Sequence, residues 1–328
     1  MAKKYNILVT GVGAIIGYGI IKNLLHEGHY IVGTDIYSDA VGQHWVDKFI
    51  QAPYTSAPNY MNWLKGVIKD NKIDIVFPGI EQDVHFISAN YNKLSSVPCK
   101  FVINNPYLIN VTKDKFETFK YLKIDFPDNV ILSLDTMNWE YIASKLSLPF
   151  LLKPKCSYAS KGIVKINNKD EFDFYTRNNE DKYIAQPLTG DNDHEYTVAT
   201  FGYGDGTCGK IIAFRRKLSQ EGATAKAVTC FDSKLESLIK NMCSFTKPIG
   251  PTNFQFRKDK DIYKLLEINP RISSSTSLRS AFGYNEAKMC IEYYLENSRE
   301  YIENIIIKPG SAQRYIEDYI TYGSCNNI

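Results

Sequence analysis

The stretch TNFQFRKDKDIYKLLEINPRISSSTS, from Thr252 to Ser277, predicts a β-hairpin whose second strand ends in polar residues. Its apolar spacing places one strand at Asn253–Arg257 and the next at Tyr263–Ile268, with a charged turn between them. Alternate side chains of a strand share one face. Glu267 and Asn269 are therefore expected to point the same way.

The polar side chains of this hairpin are placed to hold a metal ion and an anion. Gln255 on the first strand reaches the face of Glu267 and Asn269 if the two strands pair. Three oxygen-bearing side chains that converge at strand ends suit a hard divalent cation such as Mg²⁺. Arg271 follows directly after Pro270, in a position to hold an anion carried by that metal. A polar hairpin with a proline-terminated strand is the alternative, and for Glu267 alone it is the simpler interpretation.

The composition is that of an ordinary soluble globular protein. Of the 328 residues, 44% are hydrophobic and 23% are charged, and this length predicts about two domains. The 39 basic residues nearly balance the 36 acidic ones, so the net charge of +3 gives no support to nucleic-acid binding. No apolar run approaches the roughly 20 residues that a membrane span needs, so no membrane partner is expected.

The N-terminus and the cysteines predict a cytoplasmic protein. The sequence MAKKYNILVTG leads straight into a strand and lacks the apolar segment of a signal peptide. The cysteines are scattered, odd in number at 7, and never spaced as CxxC. This pattern favours reduced thiols and argues against a zinc site.

The first part of the chain predicts a doubly wound α/β domain. Tyr5–Thr10 is a nearly continuous apolar run, as expected of a parallel strand buried on both faces. It enters a glycine-rich turn and then a helical pattern, a combination that lets a ligand approach the backbone. Further strands are predicted at Tyr30–Thr34, Ile73–Phe77 and Phe101–Ile103. Strands that alternate with helices imply such a domain over about residues 1–105.

A nicotinamide-dependent oxidoreductase is the alternative interpretation of this region. Gly11, Gly13 and Gly17, with Asp35, fit a dinucleotide-binding turn, but many open α/β sheets have such a turn for packing reasons. Tyr141 and Lys145 also match a YxxxK spacing, which arises easily by chance in a chain with 23 tyrosines. This alternative predicts nicotinamide binding near Gly11 and no affinity for ATP.

A hairpin in the middle of the chain is a candidate phosphate site. Pro149–Pro154 and Ile163–Ile166 are predicted strands, and the loop between them is rich in small residues. Such a loop can fold over phosphates and donate backbone N–H groups, with Lys153 as a point charge at its root. An ordinary exposed turn with a surface lysine is an equal alternative for this hairpin taken alone.

The strands that follow carry further candidate residues. Lys182–Leu188 contains Pro187, which predicts an edge strand or a hinge whose backbone could pair with an adenine edge. Glu195 begins an alternating strand and could accept from ribose hydroxyls, although an exposed carboxylate is the simpler interpretation. On the strand Lys210–Leu218, Arg215 and Lys217 share a face that suits an anionic substrate or phosphate, with a solvated edge as the equal alternative.

For the last part of the chain, the sequence predicts secondary structure rather than functional residues. An amphipathic helix is expected over Glu286–Glu296. Two strands are expected near the end of the chain, one over Asn304–Lys308 and one around Arg314–Ile316.

The order of these segments resembles the ATP-grasp superfamily. The closest resemblance is to the ATP-grasp halves of the carbamoyl-phosphate synthase large subunit and to related carboxylate–amine ligases. NFQF…LLEINPRISSSTSL is similar to the synthase motif NVQF…EMNPR in residues and spacing. The segments KDKF, PFLLKP…ASKG and QPLTG…EYTV occur in the order that the family shows.

The resemblance implies an α/β fold with an α+β ATP-binding part and three regions. A pre-ATP-grasp, Rossmann-like domain would span residues 1–105, and the N-terminal part of the ATP-grasp fold residues 106–186. The second region would include a lid subdomain at about 122–186. Residues 187–328 would form the C-terminal part with the metal and phosphate site.

The resemblance also implies roles for individual residues. Lys153 and Arg271 would be catalytic, and Gln255, Glu267 and Asn269 would bind Mg²⁺, or Mn²⁺ in its place. The ATP-binding residues would be Lys115, Lys153, Ser160, Gly162, Gln186, Leu188 and Glu195. The substrate-binding candidates are Gly13, Glu81, Arg215, Lys217 and Ser274.

The implied activity is ATP-dependent ligation. A small-molecule carboxylate would be activated as an acyl phosphate with release of ADP and then joined to an amine. The chain has one ATP-grasp unit, and Ser274 replaces a second arginine of the synthases, which argues against bicarbonate as the acid. The alternatives are a kinase-like or carbamoyl-phosphate-type enzyme that forms a phosphorylated product, and a non-catalytic nucleotide-binding protein. A homodimer is compatible with the family.

Overall fold

In the computed structural model, which describes residues 3–156, 162–177, 179–220 and 222–320, the described strands form three sheets. The first sheet is parallel, with five strands in the order β3-β2-β1-β4-β5. Its strands are β1 (Asn6–Thr10), β2 (Tyr30–Asp35), β3 (Lys48–Gln51), β4 (Ile75–Phe77) and β5 (Lys100–Phe101). Its helices are α1 (Ile15–Leu24), α2 (Tyr60–Asp70), α3 (Glu81–Ala89) and α4 (Tyr91–Leu94), with a 3₁₀ helix at Val41–Trp45.

The parallel sheet confirms the doubly wound α/β prediction. Ile7, Leu8 and Val9 of β1 are fully buried, because helices cover both faces of a parallel sheet. The chain runs from β1 to β2 on one side and later to β4 on the other. Ligands of open α/β sheets bind in the crevice that such a reversal leaves at the carboxyl ends of the strands.

The second sheet is small and antiparallel, with the order β7-β6-β8, and we call it the lid sheet. The elements of this region are α5 (Pro106–Thr112), α6 (Lys115–Leu122), α7 (Trp139–Lys145), β6 (Phe150–Pro154), β7 (Val164–Ile166), α8 (Lys169–Thr176), a 3₁₀ turn at Glu180–Lys182 and β8 (Tyr183–Pro187). Its core is a separate apolar cluster that includes Phe150, Leu152 and Phe172. β8 lies at an edge of the sheet, as the position of Pro187 predicts.

The segment after Asn105 forms two helices, α5 and α6, rather than one continuous helix. The break falls at Asp114, whose Oδ1 accepts hydrogen bonds from the backbone N–H groups of Phe116 (2.7 Å) and Glu117 (3.1 Å). This carboxylate satisfies N–H groups at the start of α6 that have no partner within the helix. The cap fixes Lys115 as the first residue of α6.

The third sheet is antiparallel and six-stranded, with the order β13-β12-β9-β10-β11-β14. The elements of this region are β9 (Glu195–Tyr203), β10 (Ile212–Leu218), β11 (Thr224–Cys230), α9 (Ser233–Thr246), β12 (Ile249–Asp259), β13 (Ile262–Asn269), α10 (Thr276–Ala281), α11 (Glu286–Leu295), α12 (Glu300–Asn304) and β14 (Ser311–Gln313). The predicted hairpin is confirmed, since β12 and β13 pair in antiparallel register.

The third sheet and the parallel sheet share one apolar core. α1 packs against α10 and α11, and side chains of both sheets belong to the same buried cluster. The Asn23 Nδ2 of α1 also donates to the Thr276 Oγ1 of α10 over 2.9 Å in a buried contact. The parallel sheet is therefore docked on the third sheet.

The end of the chain differs from the prediction. The prediction of a strand at Asn304–Lys308 is wrong. Asn304 is the last residue of α12, and the residues after it, up to Gly310, form no strand. Glu292 of α11 accepts from the backbone N–H groups of Tyr301 (2.7 Å) and Ile302 (3.2 Å) at the start of α12, and the Lys308 N–H donates to the Phe282 carbonyl at 3.0 Å. The last strand lies at Ser311–Gln313, just before the expected position.

Within the described ranges, no helix has the length and apolarity that crossing a membrane requires. The predicted boundaries at residues 105/106 and 186/187 stay predictions.

Candidate active site

A cavity of about 650 Å³ opens where the three sheets meet, and we call it the main cavity. Its walls come from the start of α1, the β4–α3 turn, the lid sheet and strands β9, β10, β12 and β13. Many of the predicted site residues line it: Glu81, Lys115, Lys153, Leu188, Glu195, Gln255, Glu267, Asn269, Arg271 and Ser274.

The polar end of the hairpin forms a hydrogen-bonded cluster in this cavity. Gln255 stands opposite Glu267 in the register of β12 and β13. The Glu267 Oε1 accepts from the Gln255 Nε2 at 2.5 Å and from the Asn269 Nδ2 at 2.8 Å. The predicted convergence of these three side chains therefore exists in the fold, while their binding of a metal stays a prediction.

Arg271 links this cluster to the parallel sheet. Its Nη2 donates to the Asn269 Oδ1 at 2.9 Å and to the Glu81 Oε2 at 3.3 Å. Glu81 is the first residue of α3, and its Oε1 lies 3.4 Å from the His85 Nε2. The hydrogen bond from His85, together with Arg271, lowers the pKa of Glu81 to about 2. Glu81 is thus ionised beside Arg271 near neutral pH, and His85 is a neighbour that no sequence pattern indicated.

Two lysines face the same space from the lid side. Lys153 lies on β6, and its burial, reinforced by the charges of Arg257 and Lys115, lowers its pKa to about 8. Burial also lowers the pKa of Lys115, which opens α6. A nearby anion stabilises the charged form of a buried lysine. This side of the cavity therefore suits phosphate groups.

Glu195 is buried between two arginines. It stands opposite Arg216 of β10 and Arg257 of β12 in the sheet register. Its Oε1 lies 3.0 Å from the Arg216 Nη2, and its Oε2 lies 3.1 Å from the Arg257 Nη2. Both oxygens therefore have charged partners in this structure, and the predicted contact of Glu195 with a ribose stays a prediction.

Arg215 and Lys217 do not reach the main cavity. Both are exposed on the outer face of β10, and the Lys217 Nζ pairs with the Asp193 Oδ1 at 2.7 Å. Because alternate residues of a strand face opposite sides, the inward position belongs to Arg216, whose Nη2 also donates to the Gln255 Oε1 at 2.6 Å. The signal was present in the sequence, since Arg216 shares its face with the apolar residues Phe214 and Ile212.

The remaining predicted ATP-binding residues are not among the described walls of the main cavity. Gln186 is buried, donates to the Ser133 Oγ at 2.7 Å, and lines a small cavity of about 80 Å³ that shares walls with the main cavity. Gly162 has a φ of +77° and is absent from the described walls of the main cavity. Ser160 and the rest of the loop at 157–161 lie outside the described residues.

Gly13 lines a separate cavity of about 420 Å³ at the carboxyl ends of the parallel strands. Its backbone N–H donates to the Asp35 Oδ2 at 2.8 Å, and the Tyr37 N–H donates to the Asp35 Oδ1 at 3.1 Å. Asp35 therefore holds the turn together, while Gly11 has a φ of +61° and a Cβ at Gly17 would lie 2.1 Å from the Gly11 carbonyl oxygen, so the packing of the turn accounts for both glycines. Tyr141 is 49% exposed, and the Lys145 Nζ lies 6.0 Å from the centre of its ring, so this pair has a surface role.

Apolar side chains form the part of the main cavity that sequence patterns did not identify. They come from the lid sheet, from β13 and from the connections between elements: Ile131, Leu151, Ile163 and Leu266. With Leu188 they surround a space beside the polar cluster. Apolar walls next to cationic side chains suit an apolar ring that carries anionic groups.

Comparisons with known proteins agree with this architecture. Residues 190–315 match the model of a family described as an ATP-grasp in the biosynthetic pathway with the Ter operon. The protein MG011 of Mycoplasma genitalium is 26% identical over 139 residues. That match spans 42% of this chain and 42% of the length of that relative.

Solved structures share the fold over nearly the whole chain. N5-carboxyaminoimidazole synthetase from Staphylococcus aureus, solved with ADP, superposes with a TM-score of 0.67 at 16% identity, over 94% of this chain and 80% of that one. L-amino acid ligase from Bacillus licheniformis gives a TM-score of 0.64 at 15% identity, over 93% of this chain and 78% of that one. Similarity at these identities establishes the fold, which is the predicted ATP-grasp fold preceded by a doubly wound domain.

Proposed function

We propose that this protein is an ATP-dependent ligase that activates a small-molecule carboxylate as an acyl phosphate and joins it to an amine. The observation that carries the proposal is the arrangement inside the main cavity. Lys115, Lys153 and Arg271 surround the cluster of Gln255, Glu267 and Asn269. This arrangement of three cations around a carboxylate and two amides suits the phosphates of a nucleotide and their counter-ion.

The chain supplies positioning and charge to a phosphoryl transfer. Lys115 and Lys153 would neutralise the phosphates on the lid side, while Arg271 would face the γ-phosphate from the end of β13. Charge spreads over the transferring group when the acid attacks it in line, and fixed cations in an enclosed site stabilise that charge. This chemistry requires no nucleophilic side chain of the protein.

The donor set fits a divalent cation such as Mg²⁺. Glu267 offers a carboxylate, and Gln255 and Asn269 offer amide oxygens, which are the ligands that hard cations prefer. In this structure the amide nitrogens face Glu267 and the amide oxygens face Arg216 and Arg271. Coordination by all three residues would turn both amides around. A cation held by these three residues would withdraw negative charge from the transferring phosphoryl group.

The second half of the reaction would be attack of an amine on the acyl phosphate, with release of phosphate. Water must be kept from that intermediate. The lid sheet is placed for this task, because Leu151, Lys153 and Ile163 form one wall of the main cavity. Glu81, held next to Arg271, is an anion in a suitable position to bind the amine.

The relatives support this assignment by what their names record. N5-carboxyaminoimidazole synthetase and L-amino acid ligase are ligases of this fold, and the former was solved with ADP. From these names the proposal takes use of an adenine nucleotide and ligation, and it takes no particular acid or amine. A cytoplasmic location belongs to the same proposal, because the cysteines in the described ranges are free thiols. A homodimer remains compatible with it.

The test is a two-step measurement on purified protein. Calorimetry should first show binding of ATP with Mg²⁺. ADP and phosphate release should then require both an acid and an amine when arrays of each are supplied. Release of a phosphorylated acid without any need for an amine would instead establish the kinase-like alternative. Absence of ATP–Mg²⁺ binding would overturn the proposal.

A further inference from the structure

The cavity that Gly13 lines, with a volume of about 420 Å³, adjoins the main cavity, and we call it the second cavity. Three residues line both cavities: Ala14, Ile80 and Gln82. Ile80 and Gln82 flank Glu81, which lines the main cavity. The two cavities therefore meet at the start of α3, beside the carboxylate that the proposed function assigns to the amine.

The charged groups of the second cavity are all acidic. Its described walls include Asp35, Asp39 and Asp83, and these walls contain no lysine, arginine or histidine. A ligand with phosphate groups, such as a dinucleotide, would meet only charges of its own sign here. The second cavity suits a cationic ligand instead.

Asp83 has a carboxylate oxygen that is available to such a ligand. It is only 2% exposed, yet it lines the second cavity. Its Oδ1 accepts from the Tyr60 hydroxyl at 2.7 Å and from the Thr55 Oγ1 at 2.8 Å. Its Oδ2 makes no hydrogen bond to any residue that the structure describes, and it is not enclosed. A nearly buried carboxylate with one unpaired oxygen calls for a partner, and an ammonium group would supply it.

Two tyrosines add to this environment. Burial and the Asp83 carboxylate raise the pKa of Tyr60, so its hydroxyl stays a hydrogen-bond donor to the Oδ1. Tyr37 also lines the second cavity, and it is 63% exposed. An accessible aromatic ring beside carboxylates attracts an organic cation through its electron-rich face.

Building on the proposed function, we infer that the amine substrate is a diamine or polyamine whose distal ammonium group binds Asp83 in the second cavity. The reacting amino group would lie beside Glu81 in the main cavity, and the carbon chain would pass Ala14 and Ile80. The two amino groups have different tasks, because the reacting one must lose its proton before it attacks. The distal one keeps its charge and fixes the position of the molecule.

The test compares Asp83→Asn and Asp39→Asn with Asp47→Asn. Asp83→Asn keeps an oxygen acceptor for Tyr60 and removes the charge. Asp39 is an exposed residue of the same cavity, so its variant tests the charge without a risk to folding. Asp47 is the matched control: its Oδ2 accepts from the Ile31 N–H at 2.7 Å beside the same sheet, and it is outside the described walls of both cavities.

With a supporting acid, ADP release is measured with putrescine and cadaverine and with the monoamines of equal chain length, butylamine and pentylamine. At least one diamine should half-saturate wild type at a concentration about 10- to 100-fold lower than its monoamine, as expected for one charge-assisted hydrogen bond. Asp83→Asn should lose this preference, Asp39→Asn should reduce it by a smaller factor, and Asp47→Asn should keep it. Equal half-saturation by diamines and monoamines in wild type, or an unchanged preference in Asp83→Asn, would overturn the inference.

A second readout does not depend on turnover. Calorimetry at constant ionic strength measures binding of putrescine, cadaverine and spermidine to the protein without nucleotide. At least one of them should bind wild type and Asp47→Asn and bind Asp83→Asn at least about 10-fold more weakly. Absence of binding of all three to wild type would also overturn the inference. Failure of ATP–Mg²⁺ to bind would reject the proposed function separately, because the amine titrations contain no nucleotide.

Discussion

Glu267 is the residue whose loss we expect to matter most for activity. Its carboxylate is the centre of the polar cluster and the single acidic member of the proposed cation site. Glu267→Gln keeps the size of the side chain and removes the charge. We predict a fall of about 100-fold or more in ADP release, the range seen when one electrostatic contact to a transition state is lost.

The measurement is steady-state ADP release at saturating ATP over a range of Mg²⁺ concentrations. Glu236→Gln is the control, because Glu236 forms an i,i+4 ion pair with Lys240 on the surface of α9. This control should keep wild-type activity. A Glu267→Gln enzyme with normal turnover at low Mg²⁺ would exclude the proposed cation site.

The pKa of Lys153 predicts a pH limit on ATP binding. Burial lowers this pKa to about 8, so the side chain loses its proton as the pH rises through that value. Phosphates interact with the charged form. We therefore expect the Kd for ATP–Mg²⁺ to increase above about pH 8, with a smaller effect below it.

Lys153→Arg separates this effect from other titrations, because arginine stays charged over the whole range. Calorimetric titrations between pH 6.5 and 9.5 should show a flatter upper limb for this variant. An upper limb of equal steepness in both proteins would assign the pH dependence to another group.

At the residue scale, the sequence predicts the hairpin side chains of the site and misses the inward-facing arginine of β10. The hairpin motif places Gln255, Glu267 and Asn269 correctly because a two-residue period fixes which side chains of a strand meet. The same period, applied to Arg215 and Lys217, identifies the wrong face. Which face of an isolated strand turns inward depends on the strands beside it, and Arg216 faces inward because β9 brings Glu195 opposite to it.

At the scale of elements, the start of α6 couples helix stability to ligand binding. Asp114 caps this helix, and Lys115 is the next residue. We predict that Asp114→Ala lowers the free energy of unfolding by about 1 kcal/mol, as is typical for loss of an N-cap. It should also weaken ATP–Mg²⁺ binding, because Lys115 loses its fixed position.

Asn138 provides a matched control for this prediction. It caps α7, where its Oδ1 accepts from the Tyr141 backbone N–H at 2.7 Å, and it does not line the described walls of the main cavity. Asn138→Ala should lose similar stability in chemical denaturation while leaving the ATP affinity unchanged. If both variants lost affinity equally, the effect would come from general destabilisation.

Elements with a strong period are predictable, and elements held by tertiary contacts are not. The buried strand β1 and the hairpin follow from their apolar patterns. The break before α6 required recognition of the Asp114 cap inside a continuous helical pattern. No strand forms at Asn304–Lys308 because Asn304 belongs to α12 and the Lys308 N–H donates to the Phe282 carbonyl rather than to a neighbouring strand.

At the scale of the whole molecule, we predict that the lid sheet moves as a separate body. Its core, around Phe150 and Phe172, is separate from the core that joins the other two sheets. Its last strand ends at Pro187, and Leu188 and Thr189 then line the main cavity before β9 begins. A rigid core with a short connection is the usual structure of a hinged lid.

This organisation predicts how ATP–Mg²⁺ changes hydrogen exchange. Closure of a rigid lid should slow exchange at the connection 187–189 and at the cavity-facing backbone of β6 and β13. Amides within the lid core, such as those of α7, should exchange at unchanged rates, because their packing does not depend on the lid position. Glu267→Gln should reduce the nucleotide-dependent protection, since it removes the proposed cation that ties the nucleotide to β13. Protection that spread evenly over α7 and α8 as well would mean that the nucleotide orders a loosely folded subdomain, and the lid would then not be a preformed rigid body.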